Sequence, residues 1–210
     1  MFNKIKYFIT HCDKETRDNH RIFIVILISA ILSVIAAFVL SVEAWQLAGN
    51  PNAVFECSIN AVINCATVAK SSYATLFGFP NSFVGLMIIP WFVMLAIILL
   101  FGTKLPRNFM FSMQILAVGS LIFAFSLFYI SMVIIQVLCP WCMLVLLSTM
   151  VMFFALTKYN IREDNLYLSK KLSKKAKNFI AKDYDKFILA LIIVLIAVII
   201  FAKYGNSLFA

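Results

Sequence analysis

Residues 109–157 read FMFSMQILAVGSLIFAFSLFYISMVIIQVLCPWCMLVLLSTMVMFFALT, and no Asp, Glu, Lys, Arg or His interrupts them. A membrane crossing needs only about 20 apolar residues, so the chain must cross and return inside this stretch. The return is marked by Cys139-Pro140-Trp141-Cys142. Pro140 suits the first turn of a helix, where a missing N–H costs nothing. A new span therefore starts at Cys139 and carries Cys142 in its first turn. Free amides and the positive end of the helix dipole favour a thiolate there, and only a thiolate attacks a disulfide. Two thiols spaced this way close a small disulfide ring or bind a metal.

Outward from this hairpin the composition keeps the same character. The chain is 63% hydrophobic and 13% charged, with a mean hydropathy of +0.98. Soluble domains are nearer half apolar and a quarter charged, so this is an integral membrane protein. Residues 22–42, 83–101, 109–138, 140–157 and 187–202 are free of charged side chains. The first two have the length of a span, and the third is long enough to tilt or project. The fifth is short and is expected to use Tyr184 and Tyr204 as interfacial anchors. The first segment follows about twenty polar residues and exceeds the h-region of a signal peptide, roughly 7 to 15 residues, so it reads as a retained helix.

The net charge of +9 is unevenly placed. Of 18 Lys and Arg, five precede residue 22, two lie in 102–108 and nine in 158–186. The connection 43–82 holds Lys70 alone, and the turn at Cys139 holds none. The positive-inside rule then puts the N-terminus and the second and fourth connections in the cytoplasm. The lysine-rich run around Lys170–Lys175 sets topology and touches anionic headgroups. Nothing beside it stacks bases, so no nucleic-acid partner is expected. The expected organisation is a tail over 1–21, a four-helix unit over 22–157, a basic loop over 158–186, and a fifth helix with a short outer tail over 187–210.

Cys57 and Cys65 lie in connection 43–82 and so share the outer face with Cys139 and Cys142. Disulfides persist outside the cytosol. Cys12, on the cytoplasmic tail with His11 and His20, reads as an ordinary reduced thiol. Gly49-Asn50-Pro51-Asn52 reads as a turn, and the spacing of Phe55, Ile59, Val62 and Ile63 predicts a short helix carrying Cys57, lying over the bundle as a lid. Two pairs on one face suggest an electron relay. Their competitor is a metal site, since Cys pairs bind zinc or Cu(I). No outward His accompanies them, and all five charge-free segments lack Asp, Glu, Lys, Arg and His; the nine Met read as packing material.

Four features, taken in order, resemble the bacterial branch of the vitamin K epoxide reductase family across residues 22–157. They are Cys57 and Cys65 in the first outer loop, Ser71 after them, Phe77-Gly78-Phe79-Pro80-Asn81 entering the second span, and Cys139-Pro140-Trp141-Cys142 opening the fourth. The resemblance implies an all-α membrane fold: a four-helix bundle around a quinone, capped by the outer loop, here with a fifth transmembrane helix. It implies a thiol:quinone oxidoreductase of a cytoplasmic (inner) membrane that reoxidises a separate thioredoxin-fold, DsbA-like protein. Cys57 and Cys65 would be the shuttle pair, Cys65 would pair transiently with Cys139, and Cys142 would face the quinone, menaquinone or ubiquinone. Ser71 and Asn81 would line the quinone pocket; as plain structure they would serve a loop turn and a helix cap. Leu146 stands where some members carry a Tyr. Epoxide reduction is not implied.

Three other readings compete. A thiol oxidase of the disulfide bond formation protein B type carries its C-x-x-C on the first outer loop, the reverse of this order. A metal-binding or metal-transporting protein would use the outer cysteines as ligands. An assembly factor would hold them as structural disulfides.

Overall fold

The computed structural model describes residues 14–208, so Cys12 and His11 lie outside the described residues. The described residues are all-α, and among them five helices are long and apolar enough to cross a membrane. These are α1 (Lys14–Gly49), α3 (Asn81–Leu100), α4 (Arg107–Tyr129), α5 (Pro140–Arg162) and α7 (Tyr184–Leu208). The short α2 (Cys65–Lys70) belongs to the loop after α1, and α6 (Lys170–Ala181) to the basic connection after α5.

α1 is the axis of the bundle, packed along both α3 and α5, while α4 packs on α5. α3 and α4 barely touch. Small side chains make the close approaches: Ala30, Ala36 and Ala37 are buried on α1, and a Cβ added to Gly85 would lie 3.2 Å from that of Ala37. Such small-residue contacts replace a hydrophobic driving force between helices in lipid. At the end carrying the basic connections the core is solid, built from residues such as Phe23, Phe92, Leu95, Met110 and Leu156. A buried polar chain also ties α4 to α5 there. Gln114 Nε2 donates to Thr157 Oγ1 at 2.8 Å, and Asn160 Nδ2 donates to Gln114 Oε1 at 2.9 Å. Toward the other end the bundle opens into a cavity.

Several elements differ from the sequence reading. α1 begins before residue 22, with His20 Nδ1 2.9 Å from the Thr16 carbonyl, and runs on past Val42 to Gly49. A charge therefore ends the apolar run without ending the helix. The third charge-free segment is not one helix. Regular α4 stops at Tyr129, a wide i→i+5 turn spans Ile130–Ile135, and Gln136 takes the left-handed conformation at φ 60°. Ser131 holds this return, its hydroxyl donating to the Val137 carbonyl. The short helix of the loop carries Cys65, not Cys57. Asn64 caps it by accepting from Thr67 N at 3.0 Å, whereas no such cap precedes Cys57.

α7 is longer than its apolar run and docks on the bundle. Ile196 is buried against α4 and α5 side chains. Tyr204 is 6% exposed rather than an interfacial anchor, and its hydroxyl donates to the Met132 carbonyl at 3.3 Å. Lys203 Nζ donates to the same carbonyl. At the opposite end Lys158 of α5 pairs with Asp183 at 3.1 Å and Asp185 at 2.9 Å.

Candidate functional site

The loop after α1 is stitched to the segment before α5 by backbone. Leu138 N donates to the Val62 carbonyl at 2.7 Å, and Asn64 N donates to the Leu138 carbonyl at 3.0 Å. This makes an isolated parallel bridge between Ile63 and Leu138. The residues that follow each strand of the bridge are therefore neighbours: Cys65 after Ile63 and Asn64, Cys139 after Leu138. Within the loop, Asn60 Oδ1 accepts from Val62 N at 2.9 Å and Ile63 N at 2.7 Å, which fixes the turn leading into the bridge.

Cys57 and Cys65 form a disulfide, eight residues apart. Cys139 and Cys142 are free thiols. Cys139 Sγ lies 3.4 Å from Cys65 Sγ. Forming a bond there asks for a shift of roughly 1.4 Å, against a normal S–S length of about 2.05 Å. Cys65 is 2% exposed and Cys139 1%, and both pack with Phe55, Leu47 and Trp141. Cys57 is half-buried, and so is the less enclosed residue of the pair. Cys139 is the N-cap of α5 and Pro140 its first residue. The Cys142 thiol, hydrogen-bonded to Cys139, holds Cys139 below the ordinary thiol value, against the opposing effect of burial.

Beneath the four cysteines lies a cavity of about 510 Å³, within the range of ligand sites. Its walls include Leu40 and Ala44 of α1, Val84 and Ile88 of α3, and Gly119 and Phe123 of α4. Cys142, Val145 and Thr149 line it from α5. Ser71 and Asn81 are both on its wall. The Ser71 hydroxyl donates to the Val68 carbonyl at 2.7 Å, leaving its oxygen lone pairs toward other donors. The Asn81 amide is engaged twice: Nδ2 donates to the Tyr73 carbonyl at 2.7 Å, and Oδ1 accepts from Leu76 N at 3.1 Å. Asn81 thus holds the short 3-10 turn Ser72–Thr75 over the mouth of α3, where Pro80, not Asn81, occupies the cap position. Gly78, at φ 80°, supplies the left-handed residue this re-entry requires. Leu146 points away from the cavity into the contact with α7.

Sequence reasoning missed two residues. Thr149, on the cavity wall, is 3.5 Å from Ser33 of α1 through its hydroxyl oxygen; its spacing of seven from Cys142 puts both on one helical face. Glu43 belongs by sequence to the connection after the first span, yet it sits on α1 at 8% exposure, with Oε1 3.2 Å from Cys57 Sγ. The signal was a lone carboxylate directly following an apolar helical run. Glu43, Cys57 and Cys65 offer atoms within 4.8 Å of one another, but with the disulfide closed neither sulfur is a thiolate, the form that binds metals.

This arrangement can do one thing well: pass a disulfide between two cysteine pairs above an apolar chamber. A cavity with apolar walls and a few hydroxyls beside Cys142 fits a flat, lipid-soluble redox ring. A family model described as "Vitamin K epoxide reductase family" matches residues 24–157. No curated protein matches the chain.

Proposed function

The chain belongs to the vitamin K epoxide reductase family and is a membrane thiol oxidoreductase; from that premise we propose that it reoxidises a separate thioredoxin-fold, DsbA-like protein and delivers the electrons to a membrane quinone. The observation that carries this reading is the 3.4 Å approach of Cys139 to the Cys57–Cys65 disulfide, with Cys142 on the wall of the cavity. The lysine-poor end with the four cysteines faces outward, and residues 22–157 form the catalytic unit, with 158–186 in the cytoplasm.

The steps follow from exposure and distance. A thiolate of the reduced partner attacks Cys57, the less enclosed residue of the pair, and Cys65 leaves as a thiolate. Cys65 attacks Cys139 of an oxidised Cys139–Cys142 pair, and Cys142 takes the electron pair. The partner's second thiol closes the partner's disulfide and frees Cys57. Cys57 then displaces Cys139 from Cys65, which regenerates Cys57–Cys65 and leaves Cys139 and Cys142 as thiols, the arrangement described above. A bound quinone supplies the two-electron acceptor that returns this last pair to the disulfide. Ser71, Thr149 and the apolar walls hold the ring and exclude water; Asn81 shapes the mouth of the chamber.

A metal-handling reading draws on the Glu43, Cys57 and Cys65 trio. It requires that trio as dithiol, whereas a relay cycles it through the disulfide. The deciding assay is anaerobic: the purified chain, a reduced thioredoxin-fold dithiol and a soluble quinone, followed by quinone absorbance. Quinone reduction that disappears in Cys142→Ser supports the relay. No reduction, with metal bound by the reduced protein, supports metal handling.

A further inference from the structure

Glu43 is a buried carboxylate whose partners are missing in the oxidised state. Its Oε1 lies 3.2 Å from Cys57 Sγ, but a disulfide sulfur carries no hydrogen, so this contact is not a hydrogen bond. Oε2 is buried with no partner at all. Among the described residues no ion pair includes Glu43. The other titratable groups facing it are the thiols of Cys139 and Cys142 at the start of α5, neither of them a cation. Leaving a buried acceptor unsatisfied is costly, so this arrangement is expected to be relieved in another state of the protein.

Reduction relieves it at Oε1. Opening the Cys57–Cys65 bond places a hydrogen on Cys57 Sγ, and at the observed distance that S–H donates to Oε1. The dithiol then has a charge-assisted hydrogen bond that the disulfide lacks, and a group that favours one of two states shifts the equilibrium toward it. We propose that Glu43 is a positioning residue that makes the Cys57–Cys65 pair a stronger oxidant, by accepting a hydrogen bond from the Cys57 thiol of the reduced pair. In the balanced step the Cys57–Cys65 bond takes up two electrons and two protons from a dithiol, which closes its own disulfide. One of these protons rests between Cys57 Sγ and Glu43 Oε1. The inference deepens the relay reading and rests on it, because an oxidising shuttle matters only for a partner that is itself oxidising.

The test is the midpoint of the Cys57–Cys65 pair in the full-length chain, held in quinone-free lipid nanodiscs and equilibrated in glutathione redox buffers. Residue-resolved alkylation reads each thiol. Glu43→Gln is expected to move the equilibrium with glutathione about tenfold toward the disulfide, equivalent to about 30 mV for two electrons. A merely structural glutamate would leave the midpoint in place, and an unchanged midpoint or a move toward the dithiol overturns the inference. Should Glu43→Gln fail to fold, the unmutated chain with carbon-13 glutamate serves. Its reduced-minus-oxidised infrared spectrum must show a carboxylate stretch that shifts on reduction, and a silent spectrum overturns the inference equally. Neither measurement uses quinone, so failure of the relay would appear separately, as absent quinone reduction with the shift intact.

Discussion

Cys139 Sγ stands 3.4 Å from Cys65 Sγ although 74 residues separate them in the chain. The contact depends on the backbone bridge between Ile63 and Leu138. It also gives the proposed relay an intermediate that can be trapped. Cys142 favours release of Cys139 by hydrogen-bonding its thiolate. Cys142 is also the neighbouring thiol able to attack Cys139 in a mixed disulfide, and serine cannot do so. In Cys142→Ser a Cys65–Cys139 disulfide, formed as Cys139 displaces Cys57 from Cys65, is therefore expected to accumulate with a free Cys57 thiol. Non-reducing peptide mapping checks it, and recovery of Cys57–Cys65 alone would contradict the exchange path.

The wide turn ahead of Cys139 ends on Gln136 at φ 60° and ψ 27°. For a residue with a Cβ the left-handed conformation costs about 1–2 kcal/mol, and a β-branched side chain fits it worst. Gln136→Val is expected to destabilise the folded chain by at least about 1 kcal/mol, and Gln136→Gly to be tolerated. Denaturation in a mixed detergent series, read by helical circular dichroism, measures both.

Gly85 lets α3 approach α1 where an added Cβ would come within 3.2 Å of Ala37 Cβ. Gly85→Leu overpacks this crossing and is expected to cost about 1–3 kcal/mol. Gly85 also lines the cavity, so the variant should lower quinone reduction more than it lowers exchange of the Cys57–Cys65 pair with a small dithiol. Paired assays on one preparation separate these effects.

Lys158 holds the start of α7 through Asp183 and Asp185, with only 9% of its side chain exposed. Lys158→Met leaves Asp185, itself 13% exposed, without its cation, a loss of about 3 kcal/mol. The connection between α5 and α7 should become more sensitive to limited proteolysis.

Acid should loosen the same latch. Hydrogen bonds from Lys186 and then Lys158 hold the Asp183 carboxyl below its ordinary value. A lowered carboxyl contributes stability that is fully present above the ordinary aspartate pKa of about 3.9 and is lost as pH falls through the lowered value. Proteolysis of the connection should therefore be flat from neutral pH down to about 3.9, the ordinary aspartate value, and rise as pH falls from there through the lowered value, whereas Lys158→Met should be sensitive throughout.

The membrane character of the fold and the start of α5 were legible because both are local. An apolar run, and a proline that belongs in a first helical turn, need no distant partner to be read. What was hidden is long-range or backbone-borne. Nothing in the residues around Val62 announces a hydrogen bond to Leu138, so the contact of Cys65 with Cys139 entered only through family resemblance. Glu43 was lost for a related reason. Charge was used to end the first helix at Val42, but a helix passing beneath a covering loop can carry a carboxylate that the loop encloses. The break after Tyr129 was equally invisible, since a wide turn leaves the hydrophobic pattern intact.

The carbonyl of Met132 has a wider meaning for the architecture. It belongs to the turn that delivers Cys139, and it accepts from both Lys203 and Tyr204 of α7. The stretch shared with the family ends at residue 157, short of either donor. The part of the bundle matched by the family is thus not closed by its own residues alone: the turn that delivers Cys139 is braced by side chains from outside it, and the fifth helix is a structural support of that corner rather than an appendage.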